Sequence, residues 1–150
     1  MNIVVIEDDA TERELLIGLL SEDGHAVSGA DSLAAGRELL RQSRWGAVIV
    51  DLELPDATGS EAVREVVQGA PGAAVLVFTG HGDDEGILEA CLAAGADDVV
   101  EKPARYTVIR HSLIVGRAQR DRSLRRIRSA LVATVELATA SLHGAGGRGA

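Results

Sequence analysis

Apolar residues in this chain fall into short, largely β-branched runs set apart by stretches of helical spacing. Ile3-Val4-Val5-Ile6, Ala47-Val48-Ile49-Val50 and the run from Ala73 to Phe78 are continuous. Runs of this kind read as strands buried on both faces of a parallel sheet. The pattern predicts strands at residues 2–6, 25–28, 47–51, 73–78 and 98–101. Helices are predicted at 11–21, 32–42, 60–68 and 84–94, the first carrying Leu15, Leu16, Leu19 and Leu20 on one face. Asp9 or Thr11 can cap that helix. Gly24 and Gly95 close the first and fourth helices, Pro71-Gly72 is a turn, and residues 52–59, with Pro55 and Gly59, are a loop. From Tyr106 to Leu142 there is no proline and one glycine, Gly116, which predicts one long helix.

Strands alternating with helices demand parallel pairing through right-handed crossovers. The expected fold is α/β: a flavodoxin-like (βα)5 doubly wound parallel sheet of five strands in the order 2-1-3-4-5, with an extended C-terminal helix. Its switch point lies between strands one and three, and ligands bind beyond the carboxyl ends of such strands. Strand one runs into Glu7-Asp8-Asp9 and strand three into Asp51. Carboxylates about 43 residues apart in sequence should therefore converge. Like charges that close need a cation or a proton to hold them.

Composition narrows the setting. The 150 residues suffice for one domain with a real core, 46% hydrophobic but only 2% aromatic, so Val, Leu, Ile and Ala must fill it. Cys91 is the lone cysteine and reads as a small buried residue on a helix. With no disulfide, no Cys/His zinc spacing, no signal-like N-terminus and no apolar run of about 18 residues, a reducing cytoplasm is the expected home. The net charge of −8 conceals a split: residues 1–104 carry 6 bases against 21 acids, and residues 105–150 carry 9 arginines against 2 acids. Two regions with different jobs are implied.

Two more groups sit at the same sheet edge. Strand four ends at Thr79 and strand five at Lys102, the only lysine. Carboxylates, a hydroxyl and an ammonium together suit Mg²⁺ and a phosphoryl group. Asp51, on the central strand, is best placed as a nucleophile that would become an aspartyl phosphate. Asp9 reads as a cap. His81, two residues beyond Thr79, is either an exposed loop histidine or a group that positions or blocks water. His25, His111 and His143 show no metal spacing.

The set Glu7-Asp8, Asp51 with Pro55 and Gly59, Thr79-Gly80, Ala94-Gly95-Ala96-Asp97 and Lys102-Pro103 resembles the receiver domain of bacterial two-component response regulators, over roughly residues 1–120. The resemblance implies that Asp51 accepts phosphate from a histidine kinase or phosphotransfer protein. It implies that Glu7, Asp8, Asp51 and the backbone carbonyl of Glu53 bind Mg²⁺, and that Thr79 and Lys102 contact the phosphoryl group. It also makes Lys102–Pro103 a candidate cis bond. Two positions depart from the family pattern. Val99 stands where many members carry an aromatic residue, and Ala104 follows the proline where Phe is common. Switching that relies on Thr79 and backbone shifts is expected in place of an aromatic rotamer.

A receiver needs only a short fifth helix. Here residues 121–143 extend it, and residues 144–150 read as a flexible tail. Leu124, Ile127, Leu131, Val135, Ala138 and Leu142 recur at near-alternating threes and fours, which suits self-association through a coiled coil or a link to an output domain. A second reading docks the band Arg117, Arg120, Arg122, Arg125, Arg126 and Arg128 on an acidic partner. Nucleic acid has little support, since no aromatics interleave the arginines and no helix-turn-helix follows. The rivals to a phosphorylated switch are a small aspartyl-phosphate phosphatase using Asp51 with Glu53, and a receiver-like scaffold that is never phosphorylated. The phosphatase would need a second acid, and Asp56 lies in an unsuitable loop.

Overall fold

The computed structural model describes residues 1–145. The element order is β1 (Asn2–Ile6), α1 (Ala10–Glu22), β2 (Ala26–Ala30), α2 (Leu33–Gln42), β3 (Ala47–Val50), β4 (Glu53–Leu54), β5 (Ala57–Thr58), α3 (Ser60–Gly69), β6 (Ala74–Thr79), α4 (Glu85–Ala93), β7 (Asp98–Glu101) and α5 (Tyr106–Ala145). Five strands form one sheet in the order β2-β1-β3-β6-β7, every pair parallel. Counted without the small hairpin β4–β5, this is the expected order 2-1-3-4-5.

The alternation of side chains along each strand sorts the core into two layers. Val4, Ile6, Val48, Val50, Val75 and Val77 meet α2, α3 and α4 through Leu33, Leu40, Val63, Val66 and Cys91. Ile3, Val5, Ile49, Leu76, Phe78 and Val100 meet α1 and α5 through Leu16, Leu20, Ile109 and Leu113. Helices on both faces leave β1, β3 and β6 with no solvent side, which is why these runs are continuously apolar. Cys91 is fully buried, and burial pushes its thiol pKa up. Close approach governs α2: a Cβ on Gly36 would sit 2.6 Å from Ile6 Cδ1.

Two local expectations are corrected. Residues 52–59 are more than a loop, since Glu53 pairs with Thr58 and Leu54 with Ala57 in an antiparallel hairpin. Strands of two residues are too short to print a period on the sequence. The second strand runs Ala26–Ala30, two residues further than expected, in register with β1 from Asn2↔Ala26 to Ile6↔Ala30. Gly29, with Ile17 packed over it, disguised that end.

The last helix is continuous over Tyr106–Ala145. Ile109 and Leu113 are buried on the sheet, whereas Leu124, Ile127, Leu131, Val135 and Leu142 are exposed. Of the tail expected at 144–150, Gly144 and Ala145 complete α5 and the remainder lies outside the described residues. Part of the arginine band faces inward. Arg117 Nη1 donates to the carbonyls of Gly46 (2.8 Å) and Gly72 (3.1 Å), and Arg120 binds Asp97. These two guanidiniums fasten the helix to its own domain and are not available to an acidic partner. Among the described residues, no helix is long and apolar enough to cross a membrane.

Candidate functional site

Four neighbouring strands, β1, β3, β6 and β7, deliver the site. The register carries β1 and β3 to the same height, so that Asp51 N donates to the Ile6 carbonyl at 3.0 Å and Glu7 N to that of Ala30 at 2.9 Å. Glu7 is 2% and Asp51 5% exposed, while Asp8 stands in solvent. Carboxylate oxygens of Glu7, Asp8 and Asp51 lie within 4.8 Å of one another. Three hard oxygen donors, two of them buried, match the taste of Mg²⁺ for carboxylates supplemented by water and phosphate oxygens. The donor set fits such an ion on this structure's own geometry.

Lys102 closes the cluster from the end of β7. Its Nζ donates to Glu7 Oε2 (2.6 Å), Glu12 Oε2 (2.5 Å) and Asp51 Oδ2 (3.2 Å) and lies 5.2 Å from the centroid of the Phe78 ring. Its own N–H donates to the Thr79 carbonyl at 2.8 Å, which ties the ends of β6 and β7 together. Thr79 is fully buried, and its hydroxyl accepts from His81 N at 3.3 Å. The Lys102–Pro103 peptide bond is cis.

Charge is strongly conditioned here. Burial pushes the Glu7 carboxyl up to about 7, and the neighbouring Asp51 charge pushes the same way. Hydrogen bonds from Lys102 and from Asp9 N pull against that rise without cancelling it. Burial alone would lower the Lys102 ammonium, but its bonds to Glu12 and Glu7 and the charge on Asp51 outweigh burial and hold it above the usual lysine range. Lys102 is therefore a fixed cation at neutral pH.

The structure brings Glu7, Asp8, Asp51 and Lys102 together and sets Thr79 on the adjacent strand end. The Glu53 backbone enters the hairpin β4, its N–H donating to Asp51 Oδ1 at 3.3 Å. The Glu53 carboxylate pairs with the His81 imidazole, which links the loops beyond β3 and β6. Asp9 caps α1, accepting from Glu12 N at 2.8 Å. Asp56 caps α2, its two oxygens accepting from Leu33 N and Ala34 N at 2.8 Å each. Those bonds hold its carboxyl below the usual range, the wrong direction for a general acid.

Sequence reasoning missed Glu12 and Arg13. Arg13 Nη1 donates to the Glu7 carbonyl at 2.7 Å and steadies the acidic turn. Glu12 had a legible signal, because it stands three residues after the N-cap Asp9, where a glutamate normally completes a capping box. Nothing in the sequence says that this one turns to Lys102 instead.

A doubly wound parallel sheet with acids at its switch point is the arrangement that the sequence resemblance implied, and comparison with known proteins gives the family. The model of the response regulator receiver domain family matches residues 3–114. The chain belongs to that family. It is 34% identical over 105 residues to the transcriptional regulatory protein FixJ of Rhizobium meliloti, covering 70% of this chain and 51% of that one. It is 31% identical over 117 residues to the sensor histidine kinase AruS of Pseudomonas aeruginosa, covering 75% of this chain and 12% of that one. A response regulator receiver domain protein (CheY-like) from Methanospirillum hungatei superposes with a TM-score of 0.75 at 20% identity, over 81% of this chain and 97% of that one. At that identity the likeness speaks to the fold. The chain spans about half, or less, of the length of the curated relatives it matches.

Proposed function

We propose that this receiver domain takes a phosphoryl group onto Asp51 from the phosphohistidine of a sensor kinase or phosphotransfer protein, and passes the event to α5. The observation that carries the reading is the meeting of buried Asp51 with a partly buried cation, Lys102 Nζ at 3.2 Å, beside the Glu7–Asp8–Asp51 cluster. A carboxylate oxygen of Asp51 would attack phosphorus. The new P–O bond forms as the P–N bond breaks, and the departing imidazole nitrogen keeps the electron pair. Lys102 offers a compact positive charge to the phosphoryl oxygens, and the Thr79 hydroxyl can donate to one of them. Glu7, Asp8, Asp51 and the Glu53 carbonyl would hold Mg²⁺, which when bound offsets repulsion between these acids and the incoming dianion.

The reading makes the chain a signal-transducing acceptor working in the cytoplasm. It does not make it a turnover enzyme. Asp56 is committed to capping α2, which speaks against it as the second acid of the phosphatase alternative. The retained Asp51, Thr79 and Lys102 set speaks against an unphosphorylated scaffold. For the output, the exposed apolar stripe of α5 supports association with a second copy or continuation into an output domain, with residues 1–120 as the receiver and 121–143 as the extension. Phosphorylation then biases a two-state equilibrium felt at α4, β7 and α5. The test is Mg²⁺-dependent incorporation of phosphate from acetyl phosphate, with Asp51→Asn as control. Incorporation that survives in Asp51→Asn, or none in the wild type, would defeat the proposal.

A further inference from the structure

Lys102 has three ammonium hydrogens to donate, and Glu7, Glu12 and Asp51 take all three. Glu7 and Asp51 are buried parts of the site. Glu12 differs, since its side chain is 46% exposed and reaches in from the first turn of α1. A glutamate at this position ordinarily folds back to the backbone N–H of the cap residue. Here Asp9 N already donates to Glu7 Oε1 at 3.0 Å, which leaves the Glu12 carboxylate free to bind Lys102.

We propose that Glu12 is a positioning residue acting through Lys102: a latch that occupies the ammonium in the resting state and lets go when Lys102 turns to a phosphoryl group on Asp51. A phosphoryl oxygen needs a donor, and of the three acids on Lys102, Glu12 is released at least cost. Its oxygens pass to water, and a half-exposed pair is a weak one. Releasing Glu7 would strand a buried carboxylate without its cation. Glu12 also adds negative charge beside the Glu7–Asp8–Asp51 cluster, which opposes an incoming anion. Both effects favour the resting state. This inference rests on the phosphoacceptor reading of Asp51.

Because Lys102 is the only lysine, isotope-labelled lysine read by NMR at its ε carbon reports on this residue alone. Glu12→Gln should move that signal in the free protein toward the position that beryllofluoride with Mg²⁺ gives the wild type. It should also tighten beryllofluoride binding, measured by calorimetry, by about two- to fivefold. Glu14→Gln, an exposed acid on the same helix, should do neither. A Lys102 signal unmoved by Glu12→Gln, or beryllofluoride affinity equal to or below that of the wild type, overturns the latch alone. A wild type that takes up no beryllofluoride overturns the phosphoacceptor reading and the latch with it.

Discussion

Arg120 Nε donates to both carboxylate oxygens of Asp97, at 2.9 and 3.0 Å, while its Nη2 donates to the Gly95 carbonyl at 2.7 Å. Asp97 Oδ2 also accepts from Val75 N at 2.8 Å, so one carboxylate joins α5 to the start of β6. Arg120→Ala should destabilise the domain by about 1.5–3 kcal/mol, the range for hydrogen bonds to charged groups. The expected readout is a lower urea midpoint at unchanged slope. Arg120→Lys should recover only part of the loss, because an ammonium lacks the guanidinium fork.

Tyr106 fastens the other end of the helix. Its hydroxyl donates to Asp23 Oδ2 at 2.7 Å. Burial, that bond and the Asp23 charge push the phenol up to about 12. A folded-state pKa above the unfolded one means that this contribution to stability is full below about pH 10 and is lost as pH rises through about 12. The chain has one tyrosine, so tyrosinate absorbance reads it directly. At about pH 10.5 the wild type should show little ionisation, and Asp23→Asn should show markedly more.

Gly36 sets the distance between α2 and β1. A Cβ there meets Ile6 Cδ1 at 2.6 Å and Cγ1 at 3.1 Å, and Ile6 is fully buried. Gly36→Val should overpack this layer and lower stability by about 1–3 kcal/mol, checked by thermal or urea unfolding.

The His81–Glu53 pair bridges the loops beside Asp51. Both side chains are more than half exposed, so His81→Ala should change stability by no more than about 0.5 kcal/mol. Removing the imidazole should open a path for water, and loss of phosphate from the labelled protein should quicken severalfold. An unchanged decay rate would leave His81 an ordinary loop histidine.

Leu131 and Val135 on α5 are 62% and 64% exposed. If this stripe mediates self-association, Leu131→Glu should shift light scattering toward the monomer without moving the unfolding midpoint. A wild type that stays monomeric with and without beryllofluoride would remove the stripe as a dimer surface.

Long apolar runs made β1, β3 and β6 legible in the sequence, because burial on both faces leaves no polar position to confuse the reading. The ends of those runs located Glu7, Asp8 and Asp51, and strand order did the rest. The hairpin at Glu53–Leu54 and Ala57–Thr58 was illegible, since two residues carry no period. The inward turn of Arg117 and Arg120 was hidden for another reason. A charge band on a helix reads alike whether it faces solvent or the carbonyls of Gly46, Gly72 and Gly95. Glu12 escaped because its partner depends on which acceptor claims Asp9 N, a choice made only in three dimensions.

The central claim is that Asp51 receives the phosphoryl group, and locating the modified residue tests it most directly. The protein is phosphorylated with acetyl phosphate and Mg²⁺, reduced with borohydride to convert the acyl phosphate to a stable alcohol, and mapped by peptide mass spectrometry. Homoserine is expected at position 51, with no reduced side chain at Glu7, Asp8 or Glu53. Modification at another acid, with Asp51 intact, would contradict the claim.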